Sequence, residues 1–506
     1  MPFDFLRTPV NPMRKSLEYK RGTLPLNEVV QFVPQIVKLE YDRVLAELKG
    51  SQSFSFTFDG TMETAEMEGV VVRFVSSNNN ITHRLLSIKF LAQSMTGVEI
   101  ARLLLLVLNI QGNMSKIRWG TRDGASANTV AMSNIRNLFD WFFDIICLCH
   151  SINVAGSIFH EECSTLDYVI NLWSAMVSIS AIIRRRFLEI SNKSALHKSN
   201  VRWYSWYEVA EQMREHYATI LLIMNDNTNG NDKQRANFVA YNDLHRHIIQ
   251  IELALICDSC KPMVETCYLL EGDSFVAPIA FDMWHALILH GRCITGRNFG
   301  NNPPVAPTLR QACVDAAGAG QGDENILFIE AIAKAIPIFD KLEADTNDRL
   351  ANQLNILRAC RIFDLRFVAR EPVEVLNDEI EIYFQNVPFL NNLIPDLLQS
   401  LSIYKKWAIE QKIKFDALPA GTKVSPEMLW SFWKTHRLKN GMQIWYVAAS
   451  EVATIMVSSC CIERIFSLWC GMFHDSQKSL LSDKQEGGIM LRFNKNQREK
   501  DANDVY

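Results

Sequence analysis

The chain has 506 residues, 48% hydrophobic and 21% charged, proportions of a globular protein that exclude a wholly disordered, collagenous or coiled-coil chain. Its 52 basic and 56 acidic residues give a formal charge of −4, which excludes a histone-like polycation but not a folded protein that binds DNA along one basic groove. Met1–Lys20 puts charges and prolines where a secretory leader needs an apolar run, and the longest apolar stretch, Ile100–Ile110, is half a membrane span. A soluble, intracellular protein with no membrane partner is expected, and its twelve irregularly spread cysteines read as buried thiols rather than a disulfide framework.

Residues 26–49 repeat apolar positions three and four apart, the period of an amphipathic helix or two short ones. From Ser51 the period becomes two: Phe54, Phe56 and Phe58 alternate with Ser53, Ser55 and Thr57, a strand with its aromatics on one face that delivers Asp59 to its C-terminal end. Gly69–Val75 and Leu85–Leu91 complete a three-strand meander. Thr96 caps a helix with Glu99 in the capping-box position, Lys116–Thr121 reads as a fourth strand followed by Asp123, and Ser126–Trp141 as a helix. Asp144–Cys149 reads as a fifth strand and Ile152–Arg186 as one long helix or two. An antiparallel meander followed by alternating helices and strands implies a mixed α/β sheet with helices on both faces. From Trp203 to Trp445 strand signals largely vanish, so this stretch is expected to fold as a helical domain of its own. Ser458–Phe466 reads as the first turn of a final helix.

Two aspartates, each just after a predicted strand, are the residues with most chemical promise, because adjacent strand ends bring distant carboxylates together. Paired carboxylates repel, and a divalent cation with oxygen ligands, such as Mg²⁺, accounts for such pairing in phosphoryl transfer. The competing reading is that aspartates beside glycine are ordinary turn residues.

The motifs in this order resemble those of the hAT transposases. Phe56–Gly60 resembles the family's first catalytic strand, and Thr121–Asn128 the motif of its second aspartate. Cys147–Asn153 is similar to its Cys-x-x-His element on the fifth strand, and Val201–Ser205 to its Arg-Trp motif. Phe363–Phe367 is similar to a Leu-Asp-Pro-Arg-Phe stretch, with leucine in place of proline, and Ser458–Ser467 resembles the block that carries the third carboxylate. The resemblance implies an RNase H-like mixed five-stranded sheet with flanking helices, interrupted by a large all-α insertion. The expected division is a helical lead-in at 1–50, the first part of the core at 51–202, the insertion at 203–445 and a C-terminal part at 446–506.

The resemblance further implies that Asp59, Asp123 and Glu463 form an acidic triad holding Mg²⁺, with Mn²⁺ as a substitute, for DNA strand cleavage and transfer with a hairpin on the flanking end. Arg202, Trp203, His150 and Cys147 are the implied DNA-contacting residues, with Trp203 stacking on bases; a tryptophan at a domain junction can equally belong to the core. Arg184, Arg185, Arg186, Lys193, Lys198 and Arg202, against Glu189 alone, form a basic stretch that reads either as a phosphate contact or as a solvated helix end. No zinc is expected: Cys147 and His150 lack a second ligand pair nearby, and Cys257, Cys260 and Cys267 read as buried thiols. The implied partners are DNA and a second copy of the chain, through roughly Leu429–Asn494, in the nucleus, with no small-molecule substrate. Nothing before Asp59 contains a cysteine, so the family's N-terminal zinc-binding BED finger is expected to be absent from this sequence, either because the copy is truncated or because it is a host-adopted derivative. The alternative is a catalytically silent or host-adopted derivative that binds DNA and self-associates.

Overall fold

The structure, a computed structural model, describes residues 33–61, 66–91, 93–109, 113–199, 202–226, 232–297, 304–385, 387–472 and 482–503. The segment 26–32 of the expected first helix lies outside these residues. The chain divides into two compact units. One holds the described residues up to Cys149 together with Leu270–Phe281 and those from Asn352 onward; the other holds His150–Leu269 and Asp282–Ala351.

The first unit contains a mixed five-stranded sheet in the order β3-β2-β1-β4-β5, with β1 Phe54–Thr61, β2 Glu66–Val75, β3 Ile81–Leu91, β4 Ile117–Arg122 and β5 Phe143–Ile146. β1 pairs antiparallel with β2 and parallel with β4, so the sheet is mixed as the order of predicted elements implies. Phe54, Phe56 and Phe58 pack on the same side as Leu104, Met132 and Ile135 from the helices Gly97–Leu108 and Ser126–Leu138, with Val44 and Leu48 of the helix Val33–Gly50 in the same cluster. On the other side Val71, Leu85 and Ile88 pack with Ile462, Ile465 and Trp469 of the helix Cys460–Met472 and with Ile489 and Phe493 of the helix Ser482–Asn503. Thr96 and Glu99 form the capping box read from the sequence, Glu99 accepting from the Thr96 N–H at 2.8 Å.

Each edge of the sheet is closed by an amide side chain. On the β5 edge Gln353 accepts from the Ile146 N–H at 2.7 Å and donates to its carbonyl at 2.9 Å. On the β3 edge Asn494 does the same to Leu85, at 2.7 and 3.1 Å. A side-chain amide carries the same donor and acceptor pair as a peptide, so it occupies the position that an added strand would take.

The helical unit does not coincide with the expected 203–445. It begins at His150, and the helices from Asn352 onward belong with the sheet. Gln353 is one reason, and Asn79 another: its carbonyl accepts from Trp430 Nε1 at 2.9 Å and its side chain from the Tyr446 hydroxyl at 2.7 Å. Within the helical unit, the expected Ile152–Arg186 spans parts of four helices rather than one or two, the break at Ser180 marked by a side chain that caps Ile183. Among the described residues no single helix is long and apolar enough to cross a membrane. One bent pair, Ser164–Ile179 with Ala181–Ser191, passes by length and composition alone, but it bends by 105° and buries Leu166, Ile170, Trp173 and Phe187.

Candidate acidic site

The site is built at the C-terminal ends of β1 and β4. The hydroxyl face of β1, left unassigned by the alternation, is buried; Ser55 on it finds a partner in a segment near the end of the chain, while the Thr57 hydroxyl has none among the described residues. Ser55 donates to the Thr454 carbonyl, and Thr121 of β4 donates to that of Met456 at 2.6 Å. Leu148 N–H donates to the Val457 carbonyl at 3.0 Å, and Ser459 N–H to Cys147 Sγ at 3.3 Å. The segment 454–459 is thus tied to three neighbouring parts of the sheet unit. It leads straight into the helix Cys460–Met472, whose start is marked by Cys460 N–H donating to the Ser458 hydroxyl at 3.1 Å. This helix packs on β1 and β2: the space beside Gly69, the residue paired with Asp59, is filled by Ile462 and Phe466. Glu463 follows Ile462 in the first turn, where the helix dipole favours a carboxylate.

Asp59, Asp123 and Glu463 therefore share one region of one unit. The electrostatics of Asp59 report it: burial holds its carboxyl well above the ordinary carboxylate value, the charge of Asp123 raises it next, and Glu68 and Glu463 add to it, against a hydrogen bond from Gly60 N–H at 2.8 Å. Asp123 is positioned through Oδ1, which accepts from Ala125 N–H at 2.9 Å and from Asn128 Nδ2 at 2.8 Å. The arrangement also ties the aspartate to the start of the helix Ser126–Leu138, an end without a side-chain cap of its own on Ala125. Beside it Arg122 is locked in a two-pronged pair with Asp144, with bonds of 2.9–3.1 Å.

Glu68 is the carboxylate the sequence reading missed. It is paired with Gly60 across the hairpin and 3% exposed, and a Cβ on Gly60 would stand 3.0 Å from its Oε2. The signal existed in the register, since an antiparallel pair that sets Asp59 opposite Gly69 sets Gly60 opposite Glu68, but alternation alone does not reveal register.

Of the implied DNA-contacting residues, Cys147 belongs to the sheet-bearing unit, and His150, Arg202 and Trp203 to the helical one. Cys147 is 1% exposed and accepts from Ser459; β5 ends before it, at Ile146, and the Cys147 main-chain N–H makes the last bond of the β4–β5 ladder, to the Arg122 carbonyl at 2.7 Å. His150 lies half-buried on the helix Leu148–Ser157 rather than on a fifth strand. Trp203 is 4% exposed, its ring against Gly156 and stacked with Phe159, and its main-chain N–H donates to Asn153 Oδ1 at 2.7 Å. This is a core position, and it offers no open face for a base. Arg202 lies over the Tyr204 ring. The basic stretch is largely paired within its own unit: Arg185 and Arg186 with Glu189, Lys193 with Glu215 and Lys198 with Asp167. Cys260 and Cys267 are buried, as read from their helical spacing, whereas Cys257 is only partly buried.

The motif Phe363–Phe367 has a local role as well: Asp364 caps the helix Leu365–Arg370 by accepting from Arg366 N–H, and the Arg366 guanidinium closes back on it. No protein-family model matches the chain, and no curated protein matches it.

Proposed function

We propose that the chain is the catalytic body of a hAT-like DNA transposase, which cuts and joins DNA strands at Asp59, Asp123 and Glu463. The observation that carries this reading is the raised Asp59 carboxyl, with Asp123 and Glu463 among its causes although they come from distant parts of the chain. We read the sheet, with β1 antiparallel to β2 and parallel to β4, as RNase H-like, and the helical unit as its insertion. The all-oxygen, mutually repelling donor set fits Mg²⁺ or Mn²⁺. The triad does not close to the 4.8 Å mutual spacing of a single-ion shell, but two ions about 4 Å apart with ligands at about 2.1 Å span up to about 8 Å. When bound, such ions supply an activated oxygen nucleophile and neutralise the leaving oxygen. The chain's own part is to hold the carboxylates: Gly60 fixes Asp59, Ala125 and Asn128 fix Asp123, and the segment 454–459 fixes the helix that bears Glu463.

The buried Trp203, with no open face for a flipped base, favours a second reading, a silent derivative that binds DNA and self-associates through its C-terminal region in the nucleus. Cleavage of a labelled, nicked duplex with Mg²⁺ or Mn²⁺ separates the two. On the first reading the chain gives metal-dependent products that Asp59→Asn, Asp123→Asn and Glu463→Gln each abolish. DNA binding without products supports the second.

A further inference from the structure

Beside the acidic region, a second set of ligand-type side chains converges, of a different chemical kind. Among the described residues, Cys149, Glu271 and Cys460 place one ligand atom each within 4.8 Å of one another. They come from three segments of the sheet-bearing unit: the start of the helix Leu148–Ser157, the short stretch Leu270–Phe281 and the start of the helix Cys460–Met472. Both cysteines are buried, at 5% and 3% exposure, and Glu271 is half-buried. Cys149 and Cys460 share a hydrogen bond. A tetrahedral zinc with two thiolates at about 2.3 Å sets its sulfurs about 3.8 Å apart, so small side-chain rotations bring these atoms into one shell.

We propose that Cys149, Cys460 and Glu271 bind a soft divalent cation of the Zn²⁺ class, with the fourth tetrahedral position open. The donor set decides the class. Two sulfurs and one carboxylate suit Zn²⁺ and are poor ligands for Mg²⁺, which takes oxygen. Cys147 is held nearby by the Ser459 N–H, and such a bond orients the sulfur layer around a metal without consuming a ligand position. The site departs from the expectation of no zinc, which rested on sequence spacing. Spacing finds ligands on one segment, whereas this set is assembled by the packing of three.

The site clamps the first turn of the helix that carries Glu463, whose Oε1 lies 4.0 Å from Cys460 Sγ. A cation there fixes the third acidic residue by its backbone and leaves the oxygen cluster to a harder ion. The proposal does not rest on the transposase reading, since it concerns ligation and not cleavage.

The test is a Co²⁺ titration of the purified, reduced full chain, followed by the thiolate-to-cobalt charge-transfer band in the near ultraviolet. The expected result is saturation at a single equivalent, displacement by Zn²⁺, and loss of the band in Cys149→Ser and in Cys460→Ser. Glu271→Gln is expected to raise the Kd about tenfold or more. Because it alters a half-buried residue, it decides the matter if either cysteine variant loses its native circular dichroism. Cys260→Ser and Asp59→Asn should leave the titration unchanged. No band at one equivalent, a band that survives in folded cysteine variants, an unchanged Kd in Glu271→Gln, or a band lost with Cys260 or Asp59 each overturns the proposal.

Discussion

Thr121 donates its hydroxyl to the main-chain carbonyl of Met456 at 2.6 Å, a buried bond between residues 335 apart in sequence. It joins the end of β4, just before Asp123, to the segment just before Glu463. With the bonds from Ser55, Leu148 and Ser459 it anchors the segment 454–459, and neither position is informative alone.

Thr121→Val removes that donor and keeps the shape. The expected loss is about 1–3 kcal/mol, the cost of leaving a buried carbonyl without its partner. Thr129→Val, at an exposed hydroxyl that bonds within its own helix, should change stability by less than about 0.5 kcal/mol. Chemical denaturation of the two variants beside the parent chain measures the difference; equal midpoints would show that the Met456 bond contributes nothing.

Asp59 predicts a pH dependence of definite sign. Its carboxyl is raised above the ordinary value of 3.8 by burial, by Asp123 and then by Glu68 and Glu463. The folded state therefore holds its proton to higher pH than the unfolded state, and ionised Asp59 costs stability. The cost is absent below the unfolded value, grows through the interval between the two pKa values, and is complete above the folded one. Asp59→Asn should accordingly melt higher than the parent chain at neutral pH, with the gap closing as pH falls toward 4. Melting curves across that range check it. A gap that widens on acidification would reverse the sign and remove the repulsion argument.

Asn128→Ala takes away one of the two bonds that orient Asp123. A hydrogen bond to a charged acceptor at a residue 7% exposed is worth about 1.5–3 kcal/mol, so a loss near the lower end is expected. If the acidic residues hold a divalent ion, cleavage by this variant should also need more Mg²⁺. An unchanged Mg²⁺ midpoint alongside the stability loss would confine Asn128 to capping the helix.

Gly156→Ala tests the core position of Trp203. An added Cβ would stand 2.3 Å from the indole, closer than any real contact, and the ring is enclosed. Overpacking of this kind costs about 1–3 kcal/mol, and Trp203→Ala about 3–5 kcal/mol. Because the clash disappears with the indole, the double variant should be less destabilised than the sum of the two. Thermal melting of the four proteins closes the cycle, and strict additivity would mean that the two residues do not touch.

Local pattern determined a good deal of this protein. Period-two alternation in 54–58 set the phenylalanines on one face of β1, and Thr96 with Glu99 set the capping box, because both depend on residues a few positions apart. The place of Asp123 just after a strand-forming run was legible for the same reason, whereas Asp59, read as the end of its strand beside a turn glycine, lies inside β1, which runs on through Gly60 to Thr61. Glu463 entered only through resemblance, since periodicity does not distinguish it from a surface carboxylate beside Arg464. Tertiary structure alone decided the rest. The hydroxyl face of β1 and β4 needed the carbonyls of 454 and 456, the sheet edges needed Gln353 and Asn494, and Glu68 needed the hairpin register. Trp203 became core because Gly156 leaves room for its ring, and Cys149, Glu271 and Cys460 met because three segments pack together. Backbone groups and thiols carry no sequence signal of their partner, and only the closing of the chain on itself selects which distant group each one meets.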